Sequence, residues 1–325
     1  MNAKPALQPD LRAGKHFGVG KDLDVRKDLG AGKDLGVGKD LGVGEALRDV
    51  ARDILAKARA AIEAPGRTDA EAVHDFRREM KRWRALLRLL GPFLGEEGRM
   101  LRTEARDLAR SLAGARDAQA ALEGLADLAD HGLALTPRSL ATVRGRIEAI
   151  KQAAEDTTLT GEMRLRLAQA LDRAGASVEL WPLHVLTFAE ISERLASGYG
   201  AARRMLPESW EDASAEHLHE LRKRIVTHRY QMETVVPLWR RFGRMWVGEA
   251  QRLRERLGQD QDLLQLVRLT ELHQPLAHWR SRLLPAIDER KAAHVRAARR
   301  IAQRLLVEKP KAFRRRLDVM WETGG

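Results

Sequence analysis

The sequence predicts an all-α protein: two pseudo-symmetric antiparallel four-helix bundles behind a flexible, glycine-rich N-terminal tail. Three observations carry that expectation. From residue 45 onward the chain is rich in Ala, Leu, Arg and Glu at helical spacing, and no stretch alternates apolar and polar residues with the period of a strand. Capping and breaking residues cut it into segments of helix length. The same pattern of landmarks then occurs twice at one offset: 145 residues separate His74 from His219 and Asp117 from Asp262. Two landmarks at a single offset argue for an internal duplication.

Residues 1–44 stand apart. Lys15, Lys21, Lys27, Lys33 and Lys39 recur every six positions in a Gly-Lys-Asp-Leu-Gly-Val unit. A period of six suits neither helix nor strand, and Gly is costly in both, so a flexible tail is expected. Residues 45–63 form the first helix, closed by Pro65-Gly66. Thr68-Asp69-Ala70-Glu71 is a capping box that starts a second helix running to about Leu90. Gly91-Pro92 ends it. Residues 97–129 form a long helix with a break expected near Gly114. Residues 137–155 and 163–178 complete the first half, separated by the polar 156–161 loop. Residues 180–182 mark the boundary between halves 45–182 and 183–325. The second half replays the first: 188–205, then 213–236 capped by Asp212 or Ser214 and stopped by Pro237, then 243–272 with Gly258 at the equivalent break. Residues 284–307 follow, and 309–321 carry a basic last helix. Short loops between consecutive helices favour antiparallel packing.

The second helix is the most informative. Its stretch Val73-His74-Asp75-Phe76-Arg77-Arg78-Glu79-Met80-Lys81-Arg82-Trp83-Arg84 divides cleanly at about 100° per residue. His74, Arg77, Arg78, Lys81 and Arg84 share an arc of roughly 120°. Phe76, Met80, Trp83, Leu87 and Leu90 lie opposite and read as core. Asp75 and Glu79 fall at the margin of the stripe. Like charges at i,i+4 cost about 0.2–0.5 kcal/mol a pair, so a one-sign stripe calls for an anion against it. The counterpart begins at Leu218-His219-Glu220-Leu221-Arg222-Lys223. His219, Arg222, Lys223 and Arg229 share a face beside Tyr230, with Leu218, Leu221, Ile225 and Met232 turned away. The two stripes either face solvent separately or face one another across a pseudo-two-fold; the second arrangement would make one continuous cationic groove.

Composition narrows the classes. The chain has 325 residues, a net charge of +12, and no cysteine, which excludes disulfides, cysteine–zinc sites and thiol nucleophiles. The charge implies attraction to polyanions: nucleic acid, acidic lipid or a phosphate polymer. No apolar run is long enough for a membrane span and the start lacks a signal peptide, so a soluble cytoplasmic protein is expected. No phosphate-cradling Gly-x-x-x-x-Gly-Lys-Ser/Thr loop and no Gly-x-Ser-x-Gly elbow occurs. Asp117 and Asp262 read as residues that orient an Arg or cap a bend rather than as metal ligands. Nothing supports an active site, a metal site or a cofactor. Single-strand nucleic-acid binders need exposed aromatics. Here the tryptophans, Trp83, Trp239 and Trp246 among them, mostly fall at apolar positions and read as core. Non-specific nucleic-acid binding therefore stands as the alternative. The favoured ligand is a polymer of linked phosphates, matched by charge-assisted bonds from Arg, Lys and protonated His near helix N-termini, with weak contacts summing by multivalency.

At these residues the chain resembles the CHAD family of α-helical domains with characteristic histidines. His74-Asp75-Phe76-Arg77-Arg78 with Lys81 and Arg84 is similar to its first signature. His219-Glu220-Leu221-Arg222-Lys223 with Arg229-Tyr230 is similar to the second, and Gly114-Ala115-Arg116-Asp117 resembles a further segment. The resemblance covers roughly 45–307. It implies two four-helix bundles around a basic central groove that binds inorganic polyphosphate, with association to polyphosphate granules. The residues it points to are His74, Arg77, Arg78, Lys81, Arg84, His219, Arg222, Lys223 and Arg229. Val226 stands where Lys81 would be matched and Gln261 where Arg116 would be, so weaker binding is expected of the second half. Arg48, Arg52, Arg59, Arg204, Lys291 and Arg299 are further candidate donors. The expected protein is a non-enzymatic polyphosphate binder.

Overall fold

The computed structural model describes residues 42–112, 116–155 and 159–323. The expected tail lies outside the described residues as far as residue 41, and so do the expected break near Gly114 and much of the 156–161 loop. Among the described residues there are eleven α-helices and no strand. The first half supplies α1 (Val43–Glu63), α2 (Asp69–Leu89), α3 (Gly91–Ser111), α4 (Arg116–Asp130), α5 (Pro137–Glu155) and α6 (Gly161–Glu179). The second supplies α7 (Phe188–Arg204), α8 (Ala215–Glu233), α9 (Arg240–Leu269), α10 (Arg280–Leu305) and α11 (Pro310–Thr323).

The helix starts follow local chemistry. Thr68 caps α2 as a complete box: its hydroxyl accepts from the Glu71 amide at 3.3 Å, and its own amide donates to Glu71 Oε2 at 3.0 Å. Thr187 and Glu190 repeat the device on α7. Of the two caps expected for α8, Ser214 serves, accepting from the His217 amide at 3.2 Å. Pro310 opens α11, where its missing N–H costs nothing. One expectation about helix breaks fails. Gly258 makes no break, and α9 runs through it as a single 30-residue helix. Packing overrides the local weakness, because the Gly258 face lies against Arg222.

Helices group by core rather than by sequence half. α1 packs on α2 and α6, α2 on α3 and α8, α7 on α8 and α11, and α8 on α9. Their apolar faces share one core that includes Trp83, Trp181, Tyr199 and Phe313. α4 and α5 turn away and pack with α9 and α10 around a second core of Leu125, Leu128, Val143, Ile147, Leu263 and Ile287. Each fully buried aliphatic or aromatic side chain contributes about 1.5–3 kcal/mol. Both halves thus draw stability from faces supplied by the other. The tryptophans divide: Trp83 and Trp246 are buried as expected, but Trp239 is 52% exposed. It lies in a short 3-10 turn outside a helix, where helical spacing does not decide its direction. Among the described residues no helix is long and apolar enough to cross a membrane.

Candidate functional site

α2 and α8 meet directly. Gln231 Nε2 donates to the buried Ala85 carbonyl at 3.2 Å, and Arg88 donates to Thr227 Oγ1 at 3.1 Å. The faces expected to be apolar are buried: Phe76, Met80 and Trp83 on α2, Leu218, Leu221 and Ile225 on α8. The basic faces are therefore left to meet α3, α4 and α9. Arg77 donates to the carbonyl of Leu112, just past α3, at 2.7 Å. Arg222 lies along α9, where a Cβ at Gly258 would come within 3.3 Å of its guanidinium.

The two stripes come within electrostatic reach of each other. Lys81 is pushed down to about 7, first by burial and then by Arg116, Arg254, Arg222 and Arg77. Those guanidiniums come from α4, α9, α8 and α2. Arg222 falls to about 10 through burial, Arg254 and Arg116, against the pull of Asp262 and Glu123. Arg77 is lowered by burial and Arg116, with Asp117 opposing. Each histidine is faced by an arginine of the other half. His74 is held below its ordinary value by burial, with Asp75 opposing and Lys81, Arg78 and Arg254 adding to it. His219 is held down by burial, Lys223 and Arg222, with Arg116 adding and Glu220 opposing. Among the described residues, its Nδ1 and the Nε of Arg222 are buried without a hydrogen-bond partner. The result is seven cationic or titrating groups, His74, Arg77, Lys81, Arg116, His219, Arg222 and Arg254, in one field. Cations crowded at low dielectric disfavour their own charge, and an anion among them would relieve that cost.

Besides Asp75 and Glu220 beside the histidines, three carboxylates sit within this field. Asp117 opposes Arg116 at Arg77, and Asp262 stands by Arg222. Asp262 rises to about 7, by burial and then by Glu123, against Arg222, Arg116 and Arg254. Glu123 comes this close because Gly124 lets α4 approach α9: a Cβ there would lie 3.1 Å from the Asp262 carbonyl oxygen.

Of the other expected donors, Arg78 and Lys223 act on the histidines from the edge of the cluster but are each tied to an acid, and the rest are placed elsewhere. Arg78 bonds Asp75 at 2.8 Å and Glu79 at 3.0 Å, the two acids at the stripe margin. Lys223 bonds Glu220 at 2.7 Å. Arg229 is buried, paired with Glu233 at 3.1 Å and stacked on Tyr230. Arg84 belongs to a different group of arginines, with Arg102, Arg106 and Arg110. Arg48 donates to the carbonyls of Val178, Glu179 and Trp181, closing α6. Arg52 bonds Glu179, and Arg59 bonds Asp172, so both tie α1 to α6. Arg204 is exposed at the end of α7, Lys291 stands 3.9 Å from the buried Asp260, and Arg299 pairs with Glu211 at 3.1 Å. None of these six joins the cluster.

The sequence signatures do not single out Arg254, and they point to Arg116 only through its Gly-Ala-Arg-Asp motif. A signal for Arg254 exists. Arg254, Gly258 and Asp262 recur every four residues, so they share one face of α9, and Asp262 already marked that face. Among the described residues no group of three or more His, Asp or Glu side chains could hold a metal ion.

The site defines a helical protein whose two halves each present a histidine-and-arginine helix to a shared cationic cluster. The chain belongs to the CHAD family: the CHAD domain model matches residues 45–271. Neither curated proteins nor solved structures give a match.

Proposed function

We propose that this protein binds inorganic polyphosphate without chemical turnover, in a cationic groove between α2 and α8 walled by α4 and α9. One observation carries the reading: Lys81 is surrounded by guanidiniums of four helices and pushed to about 7. Such a field favours a ligand with closely repeated negative charge that offers oxygens to every donor at once. The contact set narrows to His74, Arg77, Lys81, Arg116, His219, Arg222 and Arg254. Through the polymer the protein would associate with polyphosphate granules in the cytoplasm.

Replacing Arg77, Lys81 and Arg222 with Gln tests the reading. Charge-assisted contacts contribute about 1.5–3 kcal/mol each, so affinity for long-chain polyphosphate should fall at least about tenfold. Helical content by circular dichroism should not change. Binding as tight as the parent's would overturn the assignment. In competition, polyphosphate should displace single-stranded nucleic acid at equal phosphate concentration; displacement only in the reverse direction would favour the nucleic-acid alternative.

A further inference from the structure

We infer that the polyanion path is one-sided: it leaves the central cluster over α3, where Arg102, Arg106 and Arg110 with Arg84 and Arg88 form an outer flank that reads chain length. The inference rests on the function proposed above and adds to it a direction and a length requirement.

The flank is built across two helices. Arg84 and Arg88 are one turn apart on α2, continuing the line from His74 through Arg77 and Lys81. Arg102, Arg106 and Arg110 recur every four residues on α3, so they form a single ridge. The two ridges share a field. Arg84 is lowered by burial and by Arg106, Arg110 and Arg102; Arg88 by burial, Arg102, Arg84 and Arg224. The Nε of Arg84 is buried with no hydrogen-bond partner among the described residues. Among the described residues one carboxylate serves this ridge, Asp107, bonded by Arg106 at 2.9 Å and 4.0 Å from Arg110. Like charges at i,i+4 destabilise a helix, so the ridge is costly unless an anion covers it. From His74 to Arg88 the line runs about 21 Å along α2 at 1.5 Å per residue. A short oligophosphate can occupy the centre, and only a longer chain reaches the flank.

The duplication supplies the contrast. The 145-residue offset holds on both sides of this stretch, at His74 and at Asp117. The second-half counterparts of Arg84, Arg88, Arg102, Arg106 and Arg110 are Arg229, Glu233, Val247, Gln251 and Glu255. Arg229 is buried against Glu233, Val247 is core, and Gln251 donates to Glu255. One copy kept a cationic exit; the other keeps a single arginine, Arg229, paired with Glu233, and is neutral or acidic at the remaining four positions.

The test compares tripolyphosphate with long-chain polyphosphate on the full chain. In the variant Arg102→Gln/Arg106→Gln/Arg110→Gln, long-chain affinity should drop about tenfold while tripolyphosphate affinity stays within about twofold. The slope of log affinity against log salt should fall by about two to three for the long chain, at roughly 0.7–0.9 per lost phosphate contact. Arg138→Gln/Arg144→Gln/Arg166→Gln removes the same charge from exposed positions on α5 and α6 and should leave both affinities within about twofold. Glu255→Gln should likewise change long-chain affinity by less than about twofold. The inference is overturned if the α3 variant matches the α5/α6 control, if it loses both ligands equally, or if Glu255→Gln strengthens long-chain binding about tenfold. A parent that binds neither ligand overturns the proposed function, and this inference with it.

Discussion

At the scale of residues, the titrating groups of the cluster are not the ones the sequence singles out. An ordinary histidine gains charge below about 6.5. Burial and neighbouring cations hold His74 and His219 below that value, so they charge only at lower pH. Lys81 and Asp262, each near 7, change first. As pH falls through about 7, Lys81 gains a proton and becomes positive, while Asp262 gains one and becomes neutral. Both steps make the cluster more positive. Affinity for long-chain polyphosphate, whose interior phosphates stay ionised, should therefore rise several-fold from pH 8 to pH 6. Asp262 faces Glu123 and Arg116 on α4, Arg222 on α8 and Arg254 on α9. Asp262→Asn should raise affinity at pH 8 and flatten the profile, measured by isothermal titration in buffers matched for ionic strength. An unchanged profile in that variant would show that Asp262 does not set it.

At the scale of elements, two glycines are placed by contact rather than by turn chemistry. Gly258 gives Arg222 room along α9, and Gly124 lets α4 rest on the α9 backbone. Gly normally weakens a helix by about 1 kcal/mol relative to Ala. Gly145 on α5 has open space around its Cβ position, so Gly145→Ala should stabilise by up to about 1 kcal/mol. Gly124→Val should instead destabilise by about 1–3 kcal/mol, because the added atoms meet backbone at 3.1–3.3 Å. Denaturant midpoints check both; the same sign for the two would contradict the assigned packing. The elements were largely legible. The capping box at Thr68 and the cap at Ser214 are local chemistry, and local chemistry is readable. The unbroken α9 was not, because the face that stabilises Gly258 comes from Arg222, far away in the sequence.

At the scale of the whole molecule, the halves are joined through exchanged faces. Leu125, Leu128, Val143 and Ile147 of the first half bury against Leu263, Leu266, Leu283 and Ile287 of the second. Residues 42–182 produced alone would expose the first set to water. That fragment should unfold without a cooperative transition and bind a hydrophobic dye, as seen by differential scanning calorimetry and fluorescence. A sharp two-state transition in the isolated fragment would contradict the shared core. The same joining places Arg116 beside His219 and Arg254 beside His74, so the candidate site depends on both halves.

Periodicity, capping residues and a duplicated histidine–arginine signature were enough to determine that the chain is helical, where most helices begin, and which faces of α2 and α8 are cationic. Those are consequences of side-chain order along a helix of fixed pitch. The tertiary structure decided which cations share a field, and which, such as Arg48, Arg52 and Arg59, are spent tying α1 to α6. It also brought in Arg254 and moved the titration from the histidines to Lys81 and Asp262. Burial and neighbouring charge depend on distances between segments far apart in sequence, and only packing sets those distances.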